Sequence, residues 1–289
     1  MQRRQAVALL VGAAAGTAAK APARLNRFVD PGTGAALLIE VHTGRLIAVN
    51  SEEAAGRRRM SPGSTLKPFV LFSLLQTGRL SPGTAFLCPT RLSIGSRRLD
   101  CSHPRLGLPM RVETALAYSC NCFVAYMAER LERDEPAKGL ASFGLASRTG
   151  LLGGDEAVGA IASPSTPDAQ RLQALGESGI VVTAVELAVA YRRLARMATL
   201  PEMQPILAGL EGAVEYGTAQ RAAVAGVRIA GKTGTSRSAA GDRIAWFAGF
   251  LPSRAPEVAV TVMLAGRSGG SDAAPVAGEI LEAYRKGRL

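Results

Sequence analysis

Three short motifs, in a fixed order, constrain this chain more than anything else in it: Ser64-Thr65-Leu66-Lys67, Ser119-Cys120-Asn121 and Lys232-Thr233-Gly234. They lie far apart in sequence, so a fold that uses them must bring three separate segments to one cleft. The set is informative because the chain is poor in two of the residues it requires. Its only lysines are Lys20, Lys67, Lys138, Lys232 and Lys286, and its only asparagines are Asn26, Asn50 and Asn121. Shuffling this composition would give the ordered set roughly once in a thousand chains or less.

The motifs carry chemistry of a definite kind. Ser64 and Lys67 are one helical turn apart and project from one face. A serine hydroxyl is a poor nucleophile without a base. The chain has only two histidines, His42 and His103, which read as turn or surface residues, so a neutral lysine is the available base. Lys67 needs its pKa lowered by burial and by a neighbouring cation, and Lys232 is a source of that charge. Ser119 is suited to relay a proton toward a leaving amine, and the Asn121 amide to bond both the lysine and a substrate backbone. Lys232, Thr233 and Thr235 suit a terminal carboxylate, and Gly234 leaves room for a substrate against its strand. The backbone N–H groups of Ser64 and Thr235 are candidates for an oxyanion hole. Where charge alone suffices the chain nearly always uses Arg, and Lys67 and Lys232 are exceptions where a removable proton or a compact ammonium matters.

Periodicity places these motifs on elements. Residues 36–50 read as a hairpin turning at Thr43-Gly44. Gly63-Ser64 opens a helix that runs to about Leu75 and stops at Gly78, with Pro68 tolerated in its first turn. Residues 81–110 read as loop. Residues 111–132 look helical with Ser119 to Asn121 at a break, and 136–148 and 183–198 are further helical segments. Val227 to Thr235, Ile244 to Leu251 and Val258 to Leu264 read as strands, and Asp272 to Lys286 as a closing helix. The expected fold is α/β: an antiparallel sheet of about five strands flanked by helices, with a mostly helical subdomain near residues 80–210 and the site between the two.

The ends and the charge say where such a chain works. Arg3 and Arg4 precede an apolar run from Ala6 to Ala19, too short to span a bilayer, so residues 1–23 read as an export leader of the Sec or twin-arginine type and residues 24–289 as the working domain. Net charge is +11, but the basic residues are scattered and aromatics are only 5%, which argues against nucleic acid and for an anionic envelope surface. Of the four cysteines, Cys88 and Cys101 flank a turn-rich stretch and can close a loop as a disulfide. Cys120 and Cys122 are too near in sequence for an unstrained bridge and read as small buried residues at a helix start. No Cys/His spacing suggests a metal, and no cofactor is expected.

With those residues in place, the chain resembles a penicillin-binding protein transpeptidase domain of the monofunctional class B kind, over roughly residues 30 to 270. Pro62-Gly63-Ser64-Thr65-Leu66-Lys67-Pro68-Phe69, Ala117-Tyr118-Ser119-Cys120-Asn121 and Gly231-Lys232-Thr233-Gly234-Thr235 are similar to the family's three conserved segments. Gly217-Thr218-Ala219 and Ala245-Trp246-Phe247-Ala248-Gly249-Phe250 also match, and Cys88-Pro89 and Cys101 fall where many members carry cysteines. The resemblance implies Ser64 as nucleophile, Lys67 and Ser119 as its catalytic partners, and Asn121 with Lys232, Thr233, Gly234 and Thr235 as substrate-binding residues. It implies D-Ala-D-Ala stem peptides of peptidoglycan as substrate, β-lactams as acylating ligands, and DD-transpeptidase or DD-carboxypeptidase activity. Gly176-Glu177-Ser178-Gly179 departs from the family's usual Gly-Gln-Gly.

Two other readings compete. A class A β-lactamase adds a Glu-x-x-Leu-Asn element, and no asparagine here has a glutamate four residues before it. A class D β-lactamase usually has Ser-x-Val and a later Tyr-Gly-Asn, against Ser119-Cys120-Asn121 and Tyr216-Gly217-Thr218 here. A non-catalytic β-lactam or peptidoglycan-binding module has no need of the nucleophile together with both lysines.

Overall fold

The computed structural model describes residues 21–132, 135–238 and 240–289. Most of the expected leader, residues 1–20, lies outside them. Strands β1 (Ala23–Arg24), β2 (Gly34–Glu40) and β3 (Leu46–Val49) open the described chain. Two short ribbons follow in the middle, β4 (Ser93–Ile94) with β5 (Arg97–Arg98) and β6 (Ala160–Ile161) with β7 (Ile180–Val181). Strands β8 (Ala230–Arg237), β9 (Arg243–Leu251) and β10 (Val258–Ala265) close the sheet in the order β1-β3-β2-β10-β9-β8.

The sheet has six strands where the sequence suggested about five. The extra one is the two-residue β1, which pairs parallel with β3 and is too short to leave a periodic signal. Every other pairing in that sheet is antiparallel.

The helices are α1 (Glu52–Arg57), α2 (Lys67–Gln76), α3 (Val112–Ala117), α4 (Asn121–Ala128), α5 (Glu135–Ser142), α6 (Pro167–Ala174), α7 (Ala184–Ala195), α8 (Met203–Glu215) and α9 (Ala274–Arg285). The sheet is buried on both faces, which explains why its strands read as apolar runs rather than alternations. Leu37, Ile39, Ala248 and Phe250 face one core with Phe69 of α2, Phe123 of α4 and Tyr191 of α7. Their neighbours Ala36, Leu38, Phe247 and Val260 face the other, with Ile280 and Leu281 of α9.

Two boundaries bear on the site. The expected helix at Ser64 begins as a 3-10 turn, Gly63–Leu66, and becomes α-helical only at Lys67. The expected break near Ser119 is real: α3 ends at Ala117, α4 begins at Asn121, and Ser119 sits between them with φ +56°. Sequence reasoning passed over α1, α6 and α8. Strand β8 lies at the sheet edge and packs against the Gly63–Leu66 turn and α8.

Candidate active site

The turn that carries Ser64 is held from several sides. Gly63 has φ +55°, and a Cβ there would stand 2.6 Å from the Thr235 carbonyl oxygen, so only glycine lets the turn approach β8 this closely. Gly63 N donates to Gly176 O at 3.0 Å. Tyr191 Oη donates to Thr65 O at 2.8 Å, and Trp246 Nε1 donates to Ser61 O at 3.0 Å. Both rings are fully buried, so these bonds fix the turn against the core.

Lys67 follows one turn later and has no exposed surface. Its Nζ donates to Asn121 Oδ1 at 2.5 Å, to Ser119 O at 2.8 Å and to Ser119 Oγ at 3.3 Å. The positive φ of Ser119 makes this convergence possible, because it turns carbonyl and hydroxyl toward the same ammonium. A non-glycine residue pays about 1–3 kcal/mol for that conformation, which persists only where the surroundings impose it. Asn121 is anchored in turn: its Nδ2 donates to Leu99 O at 3.0 Å.

Burial lowers Lys67 to a pKa of about 8, opposed by the negative fields of Cys120, Cys101 and Glu177. Lys232 is fully buried as well, and burial with the like charge of Lys67 pushes it well below the ordinary lysine value. Of the two causes the sequence suggested, burial and a neighbouring cation, burial is therefore the main one for Lys67.

A cavity of roughly 390 Å³ opens in front of these residues, lined by Ser64, Ser119, Asn121, Thr233, Gly234 and Thr235 together with Glu177, Thr218, Ser268 and Gly270. The structure thus brings the three motifs together. Lys67 and Lys232 stand behind the wall, and it is hydroxyls that face the cavity. Thr233 Oγ1 donates to Thr218 Oγ1 at 2.8 Å, and Gly269 N donates to Thr235 Oγ1 at 3.1 Å. The room at Gly234 is used by the protein itself: a Cβ there would stand 2.6 Å from Pro62 O and 2.9 Å from Thr65 Cγ2.

Sequence reasoning missed Thr218, Ser268 and Tyr191 as site residues. Thr218 was legible only as a member of Gly217-Thr218-Ala219 and Tyr216-Gly217-Thr218, with no role given to it. Glu177, noted as a departure, lines the cavity and pairs with Arg97 at 2.7 Å.

Of the four cysteines, Cys120 and Cys122 are buried at the start of α4, as the sequence suggested. All are free thiols, and Cys88 and Cys101 stand with sulfurs 3.7 Å apart, unbridged. His103 is buried rather than a surface residue. No Cys/His spacing in the sequence suggested a metal; in the fold, ligand atoms of Cys88, Cys101, His103 and Cys120 all lie within 4.8 Å of one another.

Residues 34–282 match the family described as penicillin binding protein transpeptidase domain. The peptidoglycan D,D-transpeptidase PbpA of Mycolicibacterium smegmatis is 37% identical over 32% of this chain and 21% of its own length. The peptidoglycan D,D-transpeptidase FtsI of Escherichia coli K12 is 27% identical over 86% of this chain and 50% of its own. The chain thus spans half or less of the length of these relatives. The crystal structure of Pseudomonas aeruginosa PBP2 in complex with WCK 5153 superposes with a TM-score of 0.77 at 22% identity, over 87% of this chain and 73% of that one. A peptidoglycan glycosyltransferase from Burkholderia ambifaria gives 0.79 at 22% identity, over 88% and 89%. At that identity the likeness is one of fold. With its three ordered motifs meeting at one sheet edge, and a match across most of its length, the chain belongs to the penicillin-binding protein transpeptidase domain family.

Proposed function

We propose that the chain is a serine acyl-transferase acting on peptidoglycan stem peptides that end in D-Ala-D-Ala, through an acyl-enzyme on Ser64, and that β-lactams acylate the same serine. The observation that carries this reading is Lys67: fully buried, lowered to about 8, held by Ser119 and Asn121, and one turn from a serine that lines the cavity.

In its neutral form Lys67 accepts the Ser64 hydroxyl proton as Oγ attacks the carbonyl of the penultimate D-Ala. The oxygen that becomes negative lies toward the N–H groups of Ser64 and Thr235. A Cβ on Gly63 would be 3.1 Å from Thr235 N, which supports this pairing of donors at the turn. The Ser119 hydroxyl, 3.3 Å from Lys67 Nζ, passes the proton on to the nitrogen of the departing D-Ala. The hydroxyls of Thr218, Thr233 and Thr235 receive the substrate carboxylate, with Lys232 behind them as the positive charge. The acyl group then leaves to an acceptor amine or to water. The transpeptidase names of PbpA and FtsI support the amine.

Peptidoglycan lies outside the cytoplasm, so this reading has the chain working on the outer side of the cytoplasmic membrane or in the periplasm, against an anionic envelope that suits its net charge of +11. Among the described residues no helix is long and apolar enough to cross a membrane.

The test is a donor peptide ending in D-Ala-D-Ala with and without an acceptor amine, on wild type and Ser64→Ala. Release of D-Ala with formation of the amide product, both lost in the variant, is the expected result. Rapid hydrolysis of penicillin with no action on the peptide would contradict it in favour of a β-lactamase.

A further inference from the structure

The row of side chains that borders the catalytic cavity does not stop at Thr235. Every second residue of a strand shares a face, so Thr233, Thr235 and Arg237 stand in one row along β8. Beside the end of that row lies a second cavity of roughly 530 Å³, lined by Arg97, Arg98, Arg237 and Arg243. It shares Glu177 and Thr235 with the catalytic cavity, so the two are continuous. The acyl-transfer steps give these arginines no part. We propose that Arg237 and Arg243 form a carboxylate subsite for the donor peptide, reading an acidic group one or two residues before the D-Ala whose carbonyl Ser64 attacks. This subsite rests on the acyl-transfer reading above and adds to it the chemistry of the donor upstream of D-Ala-D-Ala.

Arg237 and Arg243 stand directly opposite one another in the ladder between β8 and β9, and both are exposed. Like charges in that position repel and destabilise a sheet. Among the described residues neither has a carboxylate partner, and Arg237 Nη1 donates to the Gly241 carbonyl at 3.1 Å. The other two arginines of the cavity are already engaged, Arg97 by Glu177 at 2.7 Å and Arg98 by Asp100 at 2.6 Å. Four guanidinium groups against two carboxylates leave an excess of positive charge, and it falls on Arg237 and Arg243. An anion held between them removes the repulsion.

The direction of the donor follows from the site already described. Its terminal carboxylate lies at the hydroxyls of Thr218 and Thr233, and its reacting carbonyl at the N–H groups of Ser64 and Thr235. The residues before the reacting D-Ala therefore extend along β8 toward Arg237. Arg237 is two positions beyond Thr235, about 6.6–6.8 Å along the strand, which is the span of two extended donor residues. The length of an arginine side chain widens the reach to one or two.

Arginine suits this task, because its planar fork binds a carboxylate through two parallel hydrogen bonds. Glu177 lines both cavities where they meet. Its negative charge disfavours a donor side-chain carboxylate at the catalytic end and favours one farther along, against Arg237 and Arg243.

The test gives the full chain matched pairs of donor peptides ending in D-Ala-D-Ala. The members of each pair differ only in a free carboxylate or its amide, placed one or two residues before the reacting D-Ala. The readout is the ratio of kcat/KM for D-Ala release, acid over amide. In wild type it should be about 10 for at least one pair and should shrink as salt is raised. Arg237→Gln combined with Arg243→Gln should bring it to about 1, and Arg237→Lys alone should keep part of it, as a point charge does. Because a like-charge pair has been removed, the double variant should melt no lower than wild type. A ratio near 1 in wild type, or a ratio that survives in the double variant, would overturn the subsite and leave the acyl-transfer reading standing. A folded wild type that releases no D-Ala from any of the peptides would overturn that reading and the subsite with it.

Discussion

The Lys67 ammonium and the Ser119 carbonyl meet at 2.8 Å, although the two residues are 52 positions apart and lie on different elements. The contact exists because Ser119 adopts φ +56°, so a locally unfavourable backbone angle is tied directly to the placement of a buried charge. That tie joins the helical layer to the serine turn, and the expected behaviour of the site follows from it.

The base should reveal itself in pH. Lys67 is lowered by burial to about 8 from an ordinary 10.5. The second-order rate of acylation by a β-lactam should rise tenfold per pH unit below about 8 and level off above it, because this rate reports the free enzyme. Lys67→Arg should cut it about 1000-fold or more, since a guanidinium cannot give up its proton. Stability should move the same way. Between pH 8 and 10.5 the unfolded chain holds the proton that the folded chain has released, so stability rises with pH across that window and the full cost is present below it. Rapid-mixing kinetics and melting curves against pH check the two together.

Thr218→Val should separate binding from chemistry. It removes a cavity hydroxyl and leaves the Thr233 hydroxyl without its 2.8 Å partner. An expected loss of about 1–1.5 kcal/mol corresponds to roughly tenfold weaker binding of carboxylate-bearing β-lactams, with the acylation step itself little changed. Saturation kinetics give the two constants.

The support beneath Ser64 is testable through Tyr191→Phe. This change keeps the edge-to-face contact with Phe69 at 5.2 Å and removes only the bond to Thr65 O. It should cost about 1 kcal/mol of stability in denaturant unfolding. Gly63→Ala should be far worse, because the new methyl meets Thr235 O at 2.6 Å in a backbone region that alanine disfavours, and acylation should be abolished.

Lys232→Arg at first sight only weakens carboxylate binding. With Lys232 fully buried, the larger and permanently charged guanidinium should also destabilise the fold by about 1–3 kcal/mol. A lowered melting temperature would show it.

Much of this site could be read in the sequence because its parts are local. Ser64 and Lys67 share a helical turn, Ser119 to Asn121 is a tripeptide at a helix break, and Lys232 to Thr235 is one strand. What escaped is what only topology brings together. Tyr191 reaches Thr65 across 126 residues, and nothing near either residue announces it. Cys88 and Cys120 meet across 32 residues through a loop without periodicity, so their spacing fits no local ligand pattern. Gly234 was read as space for a substrate, although the atoms that need it are Pro62 O and Thr65 Cγ2. Helix α8 was missed although it packs Ile206 and Leu210 into the core, because its Gly209, Gly212 and Pro205 obscure the helical signal.

The most direct test of the central claim is to treat the full-length chain with penicillin and map the adduct by peptide mass spectrometry beside Ser64→Ala. The account predicts one stable acyl group per chain, carried on the peptide containing Ser64 and absent from the variant. A folded chain that takes no label, or carries it on another residue, would contradict it.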